Sequence, residues 1–187
     1  KAVSPEFFPI YLGDGVFDHE ELAWLHGRRL RDLALADRIL VPSDHIKNTL
    51  VDHGTDPGKI DVIPYAADTR RFRPRQSKSC SGIRTFLFAG GITQRKGIKY
   101  LLEAWKQVRR PAWRLQLLGA LPKDAGPLEP LLEGVELLGR LPHSEVPARM
   151  ADADIFVFPS LFEGSAVVTY EAMACGLPCI TTPNSGS

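Results

Sequence analysis

The 187-residue sequence predicts an α/β fold: a doubly wound, Rossmann-like parallel sheet preceded by a partial second lobe. Short apolar runs alternate with segments of helical spacing, as in parallel sheets with crossover helices. Glycines and charged residues directly follow several of these runs, where such sheets bind their ligands. The composition, 44% hydrophobic and 24% charged residues, is that of an ordinary globular protein.

Charge and cysteine content exclude several classes of partner. Basic residues number 23 and acidic residues 22, so the net charge of +1 does not draw nucleic acid to the chain as a whole. The three cysteines, Cys80, Cys175 and Cys179, cannot all pair and lack the spacing of a zinc site, which favours a reducing compartment. No apolar run reaches about 18 residues, and no basic-then-apolar leader begins the chain. We therefore expect a cytoplasmic protein without a membrane span.

Residues 1–64 are predicted to form a lobe of their own, joined to the rest by a linker. The predicted elements are a helix over 20–35, a strand within 37–43, a helix ending at 51 and a strand over 59–63. Ser43 and Asp44 are good N-caps for the second helix. Residues 65–82 are polar, rich in arginine and without periodicity, so they are predicted to be the linker.

Residues 83–187 contain the alternation that defines the sheet. Strands are predicted at 84–89, 114–118, 135–138, 155–158 and 179–181, and helices at 99–108, 127–132, 145–150 and 167–174. Ligands of such a sheet bind at the carboxyl ends of its strands. We therefore expect the functional residues to lie in the strand-to-helix loops.

The loop after the first of these strands contains groups that favour phosphate. In residues 89–97, a flexible pair, Gly90 and Gly91, precedes Arg95 and Lys96 at the start of a helix. Backbone amides, the helix dipole and two cations all favour an anion there. The loop fits neither the P-loop, which needs Gly-Lys followed by Ser or Thr, nor G-x-G-x-x-G. A solvated basic helix start is the alternative, and this loop alone leaves it open.

Two glutamates eight residues apart follow the fourth strand. Glu163 is predicted in the loop and Glu171 in the helix, and helical geometry across the interval would separate them by about 80° so that both face one cleft. Carboxylates beside a positive helix end stay ionised, which suits them to accept hydrogen bonds from sugar diols. Taken singly, each is also compatible with a solvated helix-face or first-turn acid.

Further signatures accompany these loops. They are Phe-Ala-Gly-Gly at 88–91, Arg-Lys-Gly at 95–97, Leu-Leu-Glu-Ala at 101–104, Gly-Arg-Leu-Pro at 139–142, Ala-Asp-Ile-Phe-Val-Phe-Pro-Ser at 153–160, Glu-Gly at 163–164 and Glu-Ala-Met-Ala-x-Gly-Leu-Pro at 171–178. The set resembles the nucleotide-binding half of a group 1 (family 4) retaining glycosyltransferase of the GT-B fold. Residues 33–43 and 59–74 are similar to the end of that family's acceptor-side lobe and its interdomain linker. The resemblance implies that 1–64 end the acceptor-side lobe, 65–82 form the linker and 83–187 form a donor-binding domain truncated at its C-terminus.

The resemblance also implies roles for matching residues. Arg95 and Lys96 would hold the donor diphosphate, Glu171 the ribose hydroxyls and Glu163 the transferred sugar, with Arg95, Lys96 and Glu163 taken as the catalytic set. Further implied donor contacts are Gly90, Gly91, Gly139, Arg140, Leu141, Ser160, Gly164, Ser165 and Ala166, the last three through their amides. Gly91 departs from the family pattern, because many members have arginine there.

The implied reaction uses a UDP-, GDP- or ADP-linked sugar and a sugar or lipid-linked acceptor, without a cofactor or a metal. In the family the diphosphate leaves while the acceptor hydroxyl approaches the same face, so configuration is retained. Asp152 and Asp154 have the spacing of a metal motif, but Asp154 opens an apolar strand. The five histidines, His143 among them, are scattered and are expected to be surface or structural residues.

Two other functions stay open: a non-catalytic nucleotide-sugar-binding module, and a nucleotide-sugar epimerase of the same fold. The family's sequence continues beyond residue 187, so we expect a part of a longer enzyme, either free in the cytoplasm or peripheral at a membrane. This part alone is expected to bind a nucleotide sugar weakly and to transfer none. Its strand at 179–181 is expected to be an open edge through which the chain can self-associate.

Overall fold

A computed structural model describes residues 19–75, 82–122 and 125–186 of the chain. In it the chain divides into two compact units, one ending at Pro64 and the other beginning at Tyr65. Among the residues described, no helix has both the length and the apolar character needed to cross a membrane.

The first unit is a small α/β arrangement. Its elements are α1 (His19–Leu35), β1 (Ile39–Val41), α2 (Asp44–Asp52) and β2 (Ile60–Val62). The two strands pair in parallel, with Ile39 opposite Ile60. Ser43 caps α2 because its hydroxyl accepts a hydrogen bond from the Ile46 amide at 3.3 Å. Each of the four predicted elements is therefore present.

The second unit contains a five-stranded sheet, as the sequence predicts. Its strands are β3 (Arg84–Ala89), β4 (Trp113–Leu118), β5 (Val135–Gly139), β6 (Ile155–Phe158) and β7 (Cys179–Thr181). All neighbours pair in parallel, in the order β5-β4-β3-β6-β7. The carboxyl ends of all five strands therefore meet at one edge of the sheet. Within the described residues, β5 and β7 are the outer strands.

Helices α3 (Ile98–Val108), α4 (Val146–Asp152) and α5 (Val167–Ala174) accompany these strands. Apolar side chains of the sheet and helices form one core. In α3 the buried residues are Ile98, Leu101, Leu102 and Trp105, which recur at i, i+3, i+4 and i+7 and so occupy one helix face. Burial of such a stripe is what fixes a crossover helix on its sheet.

The helical stretch predicted over 127–132 is present, but it is not an α-helix. The chain there forms a 3-10 helix, Gly126–Leu131, with Pro130 inside it. Proline lacks an amide hydrogen and its ring collides with the preceding turn, so a regular α-helix cannot pass through this residue. The short 3-10 segment tolerates it.

Residues 65–75, predicted as linker, contain neither a helix nor a strand. Phe72 is nevertheless only 2% exposed and belongs to the core of the second unit. Its amide donates to the Asp68 carbonyl at 2.9 Å, in a turn that directs the ring inward. The last residues of this segment are thus anchored on the second unit.

Candidate active site

A cleft of about 310 Å³ opens at the carboxyl edge of the five-stranded sheet. Its walls come from the ends of β3, β4 and β6, from the loops after β3, β5 and β6, and from α4 and the first two turns of α5. The lining residues are Ala89, Gly90, Gly91, Lys96, Leu118, His143, Val146, Phe158, Glu163, Ser165, Ala166, Val167, Val168 and Glu171. The location agrees with the expectation that ligands bind where parallel strands end.

The loop after β3 contains one close backbone approach that requires glycine. Gly97 has a φ of 71°, and a Cβ there would lie 1.9 Å from the Pro159 carbonyl oxygen. Gly91 is different, because a Cβ there would meet only Thr93 Cγ2, at 3.8 Å. The loop therefore needs glycine at 97, while position 91 has room for a side chain at the cleft.

Lys96 and Glu163 form an ion pair inside the cleft. Their side chains are only 15% and 13% exposed. Burial lowers the pKa of the Lys96 ammonium, and the contact with Glu163 opposes that shift. The ammonium also lies 5.1 Å from the centre of the Phe158 ring, a distance at which the ring face attracts a cation. The cleft thus contains a partly desolvated cation neutralised by one carboxylate.

Arg95 is placed behind this pair and does not line the cleft. Its Nη1 lies 2.5 Å from Glu163 Oε1 and donates to the Phe162 carbonyl at 3.0 Å. The Ser160 hydroxyl is fully buried and donates to the Arg95 carbonyl at 3.1 Å. The sequence predicts that both residues contact the donor, and the structure gives them contacts that join the loops after β3 and β6.

Glu163 lies in the loop after β6 and Glu171 lies in α5, as predicted, but helical geometry does not extend between them. Helix α5 begins only at Val167, after the extended Ala166, so Glu163 precedes the helix. The helical angle of about 80° between the carboxylates therefore does not apply, because its condition is not met. Both carboxylates line the cleft all the same. No side chain caps α5, so the backbone N–H groups of its first turn can donate to other hydrogen-bond partners.

The amides of residues 164–166 are predicted to meet sugar or phosphate, and for Ala166 this needs correction. Its N–H already donates to the Ser185 carbonyl at 3.1 Å. The Ser165 hydroxyl donates to the Tyr170 hydroxyl at 3.2 Å. Ser165 and Ala166 line the cleft and Gly164 does not.

A second polar group in the cleft centres on Glu171. His143 Nε2 lies 3.3 Å from Glu171 Oε1, and Arg71 Nη2 lies 3.1 Å from His143 Nδ1. Burial raises the pKa of the Glu171 carboxyl, while His143 and Arg71 lower it. The raised pKa differs from the sequence-based expectation, which considers only the positive end of the helix. His143 is expected from the sequence to be an ordinary surface or structural histidine, and no local pattern identifies it, because its partners are 72 and 28 residues away.

The Gly-Arg-Leu segment at 139–141, which begins with the last residue of β5, lies outside the cleft lining. The Gly139 carbonyl accepts from the Gly119 amide at 2.9 Å, which joins the ends of β4 and β5. Arg140 is exposed, and Leu141 packs partly against the core. Their predicted contact with a nucleobase stays a prediction.

Acidic and histidine residues do not gather into a metal site in the part of the chain that the structure describes. Asp152 pairs with Arg75, and Asp154 lies 3.4 Å from Arg84 and accepts from the Thr85 amide. The two aspartates therefore serve separate contacts.

A Rossmann-like α/β unit with a charged cleft at the carboxyl edge of its sheet is the class of domain that this fold and site define. Residues 83–187 match the family model described as Glycosyl transferases group 1. The chain thus belongs to the group 1 glycosyltransferases, and its fold is that of GT-B enzymes.

Relatives and solved structures agree with this assignment. Over 95% of its length the chain is 29% identical to an Arabidopsis thaliana subunit of phosphatidylinositol N-acetylglucosaminyltransferase, covering 42% of that protein. Over 81% it is 33% identical to the D-inositol 3-phosphate glycosyltransferase of Paenarthrobacter aurescens, covering 42% of it. Anabaena HepE, crystallised with UDP and glucose, superposes with a TM-score of 0.73 at 19% identity, over 91% of this chain and 50% of HepE. The chain thus spans less than half the length of these two relatives.

Proposed function

We propose that the cleft binds a nucleotide-sugar donor and that the whole protein transfers the sugar to an acceptor hydroxyl with retention of configuration. The observation behind this proposal is the cleft itself, which brings together a partly buried lysine, the uncapped start of α5 and two carboxylates. The lysine and the start of α5 favour an anion such as phosphate, and the two carboxylates accept hydrogen bonds from sugar hydroxyls.

The diphosphate is assigned to the side of the cleft formed by Lys96, Gly90 and Gly91. Lys96 is 15% exposed, so its attraction for phosphate is screened little by water. When the bond to the sugar breaks, charge grows on the departing diphosphate, and a fixed cation in such a site stabilises that charge. Binding the diphosphate then replaces Glu163 as a partner of Lys96. Arg95, which lies outside the cleft lining, keeps its contact with the Glu163 carboxylate. Its positive charge adds to that of Lys96.

The ribose is assigned to Glu171 and the transferred sugar to Glu163. A carboxylate has about four lone-pair sites, so Glu171 can accept two ribose hydroxyls in addition to the contact from His143. Glu163, once Lys96 turns to the phosphate, can accept hydroxyls of the sugar. The presence of UDP and glucose in the HepE crystal supports this class of ligand. For the acceptor we propose a sugar or lipid-linked hydroxyl, in keeping with the names of the two relatives.

Calorimetric titration of this chain with UDP-glucose, GDP-mannose and ADP-glucose tests donor binding. We expect one nucleotide to bind and Glu171→Ala to weaken it about tenfold to a hundredfold, because charge-assisted hydrogen bonds to ribose are lost. Glu145→Ala is the matched control, since Glu145 is exposed and its side chain does not cap α4. Equal affinity in the Glu171→Ala variant and the unmodified chain would remove Glu171 from the ribose site.

A donor-binding module without transfer is the second candidate. It is favoured by Gly91, which leaves the phosphate side of the cleft without a side-chain cation at that position. Acceptor-dependent release of the nucleoside diphosphate by the whole protein separates the two candidates, because a binding module releases none.

A further inference from the structure

We propose that His143 is a positioning residue that orients the Glu171 carboxylate toward the donor, held by Arg71 as the neutral tautomer with its proton on Nε2. This inference rests on the proposed role of Glu171 in binding ribose. It concerns three parts of the second unit that are far apart in sequence: the segment before β3, the loop after β5 and helix α5.

The tautomer follows from the chemistry of the contacts. A guanidinium only donates hydrogen bonds, so His143 Nδ1, 3.1 Å from Arg71 Nη2, must accept and therefore has no proton. The proton of the neutral imidazole is then on Nε2, which donates to Glu171 Oε1 at 3.3 Å. The donors run in one direction, from Arg71 through His143 to Glu171.

The imidazole ring is held from other sides as well. Arg71 Nη2 also donates to the His143 backbone carbonyl at 3.1 Å, so one guanidinium contacts both the main chain and the ring of the same residue. The ring meets Phe72 edge-on, with centroids 5.8 Å apart, and Phe72 is fixed in the core. A side chain that is otherwise largely exposed thus has a defined orientation.

The orientation of the His143 ring in turn fixes the orientation of the Glu171 carboxylate. Glu171 is on an eight-residue helix, and its side chain is only 12% exposed, so few water molecules can order it. A donor fixed at Oε1 sets the plane of the carboxylate before the ligand arrives. Ribose presents its two hydroxyls as a pair with fixed geometry, and a carboxylate already oriented binds such a pair at a lower entropic cost.

The tautomer can be read directly in this chain. We expect the 15N spectrum of His143 to show an unprotonated Nδ1 and a protonated Nε2, and Arg71→Met to yield a mixture of tautomers. A protonated Nδ1 in the unmodified chain overturns the proposal.

Two variants of His143 test its effect on binding. His143→Phe keeps a flat ring against Phe72 and removes the donor, whereas His143→Gln keeps an N–H that can reach Glu171 Oε1. Using the tightest binder among UDP, GDP and ADP, we expect about fivefold weaker binding for the Phe variant, the loss of one hydrogen bond, and near-normal binding for the Gln variant. Inorganic pyrophosphate lacks ribose, so its affinity is expected to be equal in all three proteins.

Other outcomes decide against the proposal. Normal nucleotide binding by His143→Phe, or an equal loss of pyrophosphate binding, shows that His143 does not act through the ribose site. Failure of the proposed function has a different signature: nucleotide affinity is then unchanged in Glu171→Ala, or none of the three nucleotides binds.

Discussion

At Lys96 the chain keeps a positive charge in a place that water reaches poorly. Burial lowers the pKa of Lys96 and so disfavours the charged form, and the contact with Glu163 partly opposes this shift. Lys96 can therefore exchange its contact with the Glu163 carboxylate for a contact with the phosphate of a ligand. This makes Lys96 the group whose removal should affect the reaction more than the binding of the donor.

We therefore expect Lys96→Ala in the whole protein to lower kcat about a hundredfold to a thousandfold and to change KM less. In the proposed reaction the leaving diphosphate gains charge in the transition state, and losing one preorganised donor to such charge costs about 2.7 to 4 kcal/mol. Steady-state transfer kinetics measure both constants. Lys99→Ala is the control, because Lys99 is exposed and makes only a long contact of 3.9 Å with Glu103. A change confined to KM would assign Lys96 to binding alone.

Glu171 has a stability consequence that can be measured without a ligand. Its pKa is raised by burial, so the folded chain binds the proton more tightly than the unfolded chain does. Ionised Glu171 therefore lowers the free energy of unfolding above its folded pKa, and this penalty disappears as the pH falls below the unfolded value.

We expect Glu171→Gln to raise the thermal midpoint near pH 8 and the difference from the unmodified chain to shrink toward pH 4. The glutamine oxygen can still accept from His143, so the hydrogen bond is kept while the charge is removed. Thermal unfolding followed by circular dichroism across this pH range measures it. Glu145→Gln, at an exposed site, should show no such trend. A midpoint gain that grows toward acid pH would contradict the expected sign.

The site residues that the sequence reveals share a local signal. Gly90, Lys96 and Glu163 lie in the loops after β3 and β6, and Glu171 lies in the helix that follows β6. Loops that begin at the carboxyl ends of parallel strands converge. His143 has no such signal, because its position depends on tertiary contacts with residues far along the chain. Burial of Glu171 could not be predicted either, since it depends on how the neighbouring elements pack around the carboxylate.

Among the elements, the buried strands were the most predictable. Strands that pack into a core consist mainly of apolar residues, and β3 and β6, which contribute to the core, have the predicted bounds. The exposed outer strand β7 also has its predicted bounds. The helix predicted at 167–174 also has the observed bounds, whereas the segment at 127–132 departs from its prediction for a local reason that hydrophobic spacing does not record. Pro130 prevents an α-helix at 127–132, and a 3-10 helix forms instead. The extended Ala166 shows that helical geometry does not reach back to Glu163.

The loop between β3 and α3 depends on one close approach, which gives a prediction at this scale. Gly97→Ala places a methyl group 1.9 Å from the Pro159 carbonyl oxygen and at a positive φ, so the loops after β3 and β6 must separate. We expect a loss of about 2 kcal/mol or more in the free energy of unfolding, together with weaker nucleotide binding. Urea unfolding at equilibrium measures the first quantity.

Gly91→Ala is the matched control for that experiment. It adds the same methyl group in the same loop, six residues earlier, where the nearest atom is an ordinary contact at 3.8 Å. Its stability should stay within about 0.5 kcal/mol of the unmodified chain. Equal losses in both variants would show that the loop tolerates no side chain at all and that the approach to Pro159 is not the cause.

Across the whole molecule, the two units have cores of different size. In the described part of the first unit the buried core consists of Ile39, Val41 and Ile60, whereas the second unit has a cluster that spans its sheet and helices. Resistance to local opening follows the amount of buried apolar surface. The first unit is therefore expected to open more readily than the second.

Hydrogen exchange measured by mass spectrometry, with and without the bound nucleotide, tests this difference. We expect α1 and α2 to exchange fast under both conditions. In β3 and β6 we expect exchange to slow about a hundredfold when the nucleotide is present at a hundred times its dissociation constant. Equal slowing of α1 and β3 would show that the units open as one.

The short segment Pro183–Ser185 contributes main-chain carbonyls to the site. The Asn184 carbonyl accepts from the Glu163 amide at 2.9 Å, and the Ser185 carbonyl accepts from the Ala166 amide. Neither bond involves a side chain, and the Asn184 side chain is exposed. Substitution of the side chain at residue 184 during evolution therefore preserves the bond to the Glu163 amide and the loop around Glu163. A proline at 163 or 166, which has no amide hydrogen, would remove one of these bonds. Sequence variation at residue 184 therefore gives no measure of how much the geometry of the cleft depends on its main-chain carbonyl.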